Sequence, residues 1–159
     1  MKPMNNSEPI RRRYPPIPIV SVGVLLYDKE TNKILLIKRA SEPGKGKYSI
    51  PGGVVELGEK LIDAAKREVM EEVSIQCRIL GIIHIDEIII RDEEDKIKWH
   101  YVLIDLLAEP LSKNITPASD AEDALWVSIE KAKTMNLTVS TRKLIEKFSA
   151  EKFCLLKTS

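Results

Sequence analysis

Glu68, Glu71 and Glu72 fall at i, i+3 and i+4 within Arg67-Glu68-Val69-Met70-Glu71-Glu72. On a helix that spacing puts three carboxylates on one face, where like charges repel. A hard divalent cation would relieve the repulsion, because Mg²⁺ takes oxygen ligands and is bound through a few carboxylates together with substrate phosphates. Just upstream, Gly52 and Gly53 form a turn whose backbone carries no side chain. Such a turn can approach a metal or a phosphate closely. These residues point to a metal-dependent phosphate site.

The elements that must position this site follow from the patterning around it. IVSVGVLLY (Ile19 to Tyr27) is rich in branched residues and reads as a strand, with Gly23 marking a close backbone approach. Asp28 to Asn32 is a turn, and KILLIKR (Lys33 to Arg39) returns as a second strand. Ser41 to Lys47 is a loop leading into Tyr48-Ser49-Ile50-Pro51. A helix from about Lys60 to Val73 follows, with Leu61, Ile62, Ala65, Val69 and Val73 as its apolar stripe and the acids directed elsewhere. Cys77 to Ile90 and Lys98 to Leu107 read as strands around a polar turn at Arg91 to Asp95. Glu109 to Asp123 reads as a long polar loop, and Ala124 to Ser128 as a short strand. Helices are expected at Ile129 to Met135 and Ser140 to Ser149, capped by Ser128 and by Ser140 or Thr141.

With the elements in place, GGVVELGEKLIDAAKREVMEEVSI resembles the Nudix box, a glycine turn and helix with fixed glutamates and one arginine. Gly53, Glu59, Arg67, Glu68, Val69, Glu71, Glu72 and Ile75 stand where that pattern asks. Ser74 replaces its last glycine, which leaves open how the chain turns after the helix, where a left-handed residue is often wanted. The resemblance implies an α/β fold, a Nudix-type α/β/α sandwich with a mixed sheet between helices, over roughly Ile17 to Phe148. It implies Mg²⁺ (or Mn²⁺) held by the Gly52 carbonyl, Glu68, Glu71 and Glu72. Glu68, Glu71, Arg67 and Glu59 form the implied catalytic set, with Glu59 and Arg67 supporting its geometry. The base is Glu68 or Glu71, or an acid of the later loop: Asp120, Glu122 or Asp123.

Segments outside the box, YPPIPIVSVGVLL, WHYVLIDLLAE and DALWVSIEKA among them, look similar to the ADP-ribose pyrophosphatase-like branch. That implies hydrolysis of a nucleoside diphosphate linked to another moiety, for ADP-ribose giving AMP and ribose 5-phosphate. A nucleoside triphosphate substrate is the nearest alternative, and a nucleotide sensor or an RNA 5′-end hydrolase are further ones. Arg39 is either a phosphate ligand or half of a surface ion pair. Tyr48 and Trp99 either stack on a nucleotide or pack within the fold. His100 divides the same way between substrate contact and an ordinary sheet position.

The 159 residues allow one domain at 17–159, preceded by a flexible, basic, proline-containing arm at 1–16 that includes Arg11-Arg12-Arg13. A net charge of +1 gives no overall field favouring nucleic acid or an acidic membrane. No apolar run reaches membrane-spanning length, and the first residues lack a signal core, so the expected location is cytoplasmic. Cys77 and Cys154 match no metal or redox spacing and are expected as buried thiols. Partners are small nucleotides, with a homodimer as an open option.

Overall fold

A computed structural model describes residues 11–114 and 121–149. Its elements are β1 (Ile19–Asp28), β2 (Lys33–Arg39), β3 (Tyr48–Ser49), β4 (Gly52–Val54), α1 (Leu61–Val73), β5 (Cys77–Arg91), β6 (Ile97–Pro110), β7 (Ala121–Ser128), α2 (Ile129–Lys133) and α3 (Val139–Ser149). The strands form one sheet, with the path β3-β2-β1-β6-β5; β4 also pairs with β1, and β7 with β2. Only β1 and β6 run parallel among these pairs, so the sheet is mixed.

Strand alternation divides the core into two layers. Val22, Val24 and Leu26 of β1, with Leu35 and Ile37 of β2, pack against Ala64, Ala65, Val69 and Val73 of α1. Leu25, Ile34 and Leu36 face the other way, toward Ile129 and Ala132 of α2 and Leu144 and Ile145 of α3. This is the expected α/β/α sandwich. Gly52 and Gly53, expected as a turn, are instead strand residues of β4, which pairs antiparallel with β1 through Gly23↔Gly52 and Val22↔Gly53 and is seated over α1. A Cβ on Gly52 would lie 2.1 Å from the Val22 carbonyl oxygen, so this pairing requires glycine.

Several expectations need correction. Residues 121–123 are strand, not loop, because β7 continues its antiparallel pairing with β2 through Lys38↔Asp123 and Arg39↔Ala121, with a bulge between the two pairs. The α3 cap is Thr138, ahead of the two residues expected, since its Oγ1 accepts from Thr141 N–H at 3.3 Å. Ser128 does cap α2, accepting from Lys131 N–H. The turn after α1 is intact without glycine: Ser74 adopts φ 59° and ψ 34°, and its N–H donates to the Met70 carbonyl at 3.0 Å. Tyr14 ties the preceding segment to the β5–β6 hairpin, donating from its N–H to Lys98 O at 2.8 Å and from its hydroxyl to Asp92 at 2.7 Å. Cys77 is a buried free thiol, and Cys154 lies outside the described residues. Among the described residues, no helix is long and apolar enough to cross a membrane.

Candidate active site

Arg67 organises the acids of α1. Its Nε and Nη2 fork onto Glu59 at 2.7 and 2.9 Å. Its Nη1 donates to Glu68 at 2.7 Å and to Glu71 at 3.2 Å, while Nη2 also reaches the Val54 carbonyl at 3.1 Å. The guanidinium therefore joins the loop before the helix, the helix itself and the end of β4. Glu59 also accepts from Glu56 N–H, and the Arg67 fork draws its carboxyl down to about 2. Glu68 responds the other way: burial pushes its carboxyl up, against the opposing pull of Arg67.

The three metal-ligand candidates occupy different surroundings. Glu71 is half-exposed, and Glu68 retains only 13% of its side-chain exposure. Glu72 is buried at 6%, on the same side of α1 as Val69 and Val73, which overturns the expectation that the acids avoid the apolar stripe. The reason is the glycine pair of β4, which covers Glu72 and donates from Gly52 N–H to its Oε1 at 3.4 Å. Gly53 lies over Glu68 so closely that a Cβ there would sit 2.4 Å from the carboxylate.

A cleft opens beside this cradle, lined by Gly52, Gly53 and Glu72 from the box side. Arg39 lines it, with its Nε hydrogen-bonded to the Pro43 carbonyl at 2.8 Å, and Arg12 lines it from the N-terminal segment. Trp99 stacks on Tyr101 with ring centroids 6.4 Å apart, and Tyr101 is the ring that reaches the cleft wall. Tyr48 is not brought there: it packs against the apolar layer of α2 and α3. His100 alternates with Tyr101 along β6 and pairs across to Ile89. Of the alternative bases, Asp123 is exposed on β7 and Asp120 lies outside the described residues, as does the side chain of Glu122.

Sequence reasoning missed the part of the cleft that β6 forms, where Asp105 pairs with Gly23 on the far side of β1 from Gly52. Asp105 is 3% exposed and lines the cleft, with its Oδ2 3.0 Å from His84 Nδ1. Burial pushes its carboxyl up, and His84 opposes the rise. The available signal was an aspartate inside the apolar run YVLIDLLA, where a charged residue is rarely placed without a partner.

A family model for the NUDIX domain matches residues 18–148, which takes in α1, the glycine pair and the cleft lining apart from Arg12. The chain belongs to the Nudix family of phosphoanhydride hydrolases. It is 31% identical over 107 residues to an ADP-ribose pyrophosphatase of Methanocaldococcus jannaschii, covering 67% of this chain and 60% of that protein. This chain therefore matches less than two thirds of that relative's length. It is also 31% identical over 118 residues to the nucleoside triphosphatase NudI of Escherichia fergusonii, covering 70% of this chain and 84% of the relative. Among solved structures, the MutT NUDIX hydrolase of Burkholderia pseudomallei superposes with a TM-score of 0.70 at 27% identity, over 82% of this chain and 97% of that one.

Nudix hydrolases generally use a divalent cation, and the residues here fit one. The donors are all oxygen, as a hard ion requires, and the absence of a Cβ at Gly53 leaves the Glu68 carboxylate open on that side. Among the described residues, no three His, Cys, Asp or Glu side chains already converge on one point; Glu68 and Glu71 instead share the Arg67 guanidinium.

Proposed function

We propose that this protein hydrolyses the pyrophosphate bond of a nucleoside diphosphate linked to another moiety, with ADP-ribose as the leading substrate and Mg²⁺ or Mn²⁺ as cofactor. The observation that carries this reading is the Arg67-organised set of acids beneath Gly52 and Gly53, opening on a cleft that also presents Arg12 and Arg39. The resemblance to the archaeal ADP-ribose pyrophosphatase supports the substrate. In the reaction, water adds to one phosphorus and the bond from that phosphorus to the bridging oxygen breaks. Two phosphate monoesters result, AMP and ribose 5-phosphate.

The Gly52 carbonyl, Glu68, Glu71 and Glu72 would hold the cation, which when bound neutralises phosphate oxygens and lowers the pKa of a bound water. Glu68 or Glu71 takes the proton of the attacking water. Arg67 and Glu59 are positioning residues, since they act by fixing those two carboxylates. Arg39 and Arg12 offset the charge of the phosphates from the cleft wall.

A second reading, hydrolysis of a nucleoside triphosphate to a monophosphate and pyrophosphate, is favoured by the NudI relative, of which this chain covers 84%. Product chromatography separates the two. AMP plus ribose 5-phosphate from ADP-ribose supports the first reading, and pyrophosphate from a triphosphate with ADP-ribose untouched replaces it with the second. Cleavage of neither, by folded protein supplied with either metal, contradicts both.

A further inference from the structure

Asp105 and its surroundings form a second built feature in the cleft, outside the box. A β-bulge in β5 between Ile82 and His84 shifts the register so that His84, instead of Ile83, stands opposite Asp105. Bulges re-aim side chains and are over-represented beside active sites. Here the result is a nearly buried carboxylate with one oxygen held by imidazole at 3.0 Å. Its other oxygen, Oδ1, lies against Gly23, where a Cβ would approach to 2.3 Å. Gly23 thus leaves room for the carboxylate on the cleft wall. The same cleft is lined by Ser49, 6% exposed, whose Oγ has no hydrogen-bond partner among the described residues. A nearly buried hydroxyl without a partner is costly to keep unless something satisfies it.

We propose that Asp105, oriented by His84 and assisted by Ser49, is a specificity determinant that accepts a hydrogen bond from an uncharged donor on the nucleoside part of the substrate. The proposal rests on the hydrolase reading above and adds which residues choose the nucleotide. Among the described residues, no lysine or arginine is hydrogen-bonded to Asp105, so it repels phosphate; phosphates belong where the box would hold the cation and where Arg12 and Arg39 line the cleft. The donor that Asp105 takes is then a sugar hydroxyl or an exocyclic amino group of the base. A site that holds a buried acceptor discriminates strongly, because a substrate lacking the donor leaves the acceptor unpaired.

The test compares kcat/KM of wild type and Asp105→Asn over two kinds of substrate pair. One pair differs only in a ribose 2′-hydroxyl, and the other replaces an amino-bearing base with its keto counterpart. In the wild type, one pair is split by at least about tenfold, the worth of a hydrogen bond to a charged group. In Asp105→Asn that ratio falls to within about threefold, mainly through KM, and the pair that collapses identifies sugar or base. Ratios that match between wild type and variant overturn the proposal, whether or not overall activity drops. So does a wild type that cleaves both members of each pair equally.

Should Asp105→Asn not fold, His84→Gln keeps the carboxylate but loosens its orientation and must lower the same ratio; an unchanged ratio overturns the proposal. If the wild type cleaves nothing, the hydrolase reading fails separately and calorimetric binding of free nucleosides decides this one. Binding weakened about tenfold or more by Asp105→Asn upholds it, and no nucleoside binding by the wild type overturns it.

Discussion

Replacing Arg67 with Met removes the guanidinium and keeps much of the apolar stem. Five hydrogen bonds are lost, two of them to Glu59, and the Glu68 carboxylate is left in a largely buried place without its cation. Breaking a buried ion pair by removing one partner costs about 3–5 kcal/mol. The Arg67 side chain retains 24% exposure and Glu71 49%, so water replaces part of what is lost. With that discount the expected destabilisation at pH 7 is about 2–4 kcal/mol. For a chain of this size that lowers Tm by about 4–16 °C.

The pH dependence makes the cause identifiable. Glu59 has its carboxyl drawn down to about 2 by Arg67, from an ordinary value of 4.5. Its contribution is therefore fully present above the unfolded value and is lost as pH falls from 4.5 through about 2. In Arg67→Met the cause of the shift is gone, so the two stability curves should converge over that window. Urea titrations of both proteins from pH 7 to pH 2 measure it, and Arg67→Lys, which keeps the charge but not the fork, should recover only part of the loss. A loss under about 1 kcal/mol at pH 7, or a gap that stays constant down to pH 2, refutes the assignment of Arg67 as the organising residue.

Two other substitutions test the segments flanking the helix. Ser74→Gly relieves a left-handed non-glycine residue, which costs about 1–2 kcal/mol, so thermal denaturation should show a gain of about 1 kcal/mol after the added freedom of the unfolded chain is counted. Gly53→Ala sets a Cβ 2.4 Å from the Glu68 carboxylate and should cut kcat by about 100-fold, the scale of a small misplacement in a catalytic site, while circular dichroism stays native.

Much of this was legible because local signals agreed. The α1 stripe of Ala65, Val69 and Val73, the spacing of the acids and the doublet Gly52-Gly53 all depend on residues close in sequence, and α1 runs Leu61–Val73 much as expected. Gly23 announced its close approach because glycine inside an apolar strand has few other uses. Tertiary packing decided the rest. Glu72 stands seven residues after Ala65, inside the apolar stripe of a helical wheel, but a carboxylate there reads as exposed until the glycine pair is seen folded over α1. The polar pattern at 121–123 concealed a strand that exists because β2 offers a partner. The pairing of His84 with Asp105 joins residues 21 apart through a one-residue bulge, for which the sequence carries no spacing signal.

The central claim is that buried Glu72, beneath Gly52, helps hold the cation on which hydrolysis depends. The most direct measurement is turnover of the cleaved nucleotide by wild type and Glu72→Gln across a titration of Mg²⁺ and of Mn²⁺. Glutamine keeps the shape and can still accept from Gly52 N–H, but it removes the charge. The variant should fold, with kcat lower by at least about 100-fold even at saturating metal, the scale on which one electrostatic catalytic contact is felt. Near-native turnover by Glu72→Gln would contradict it.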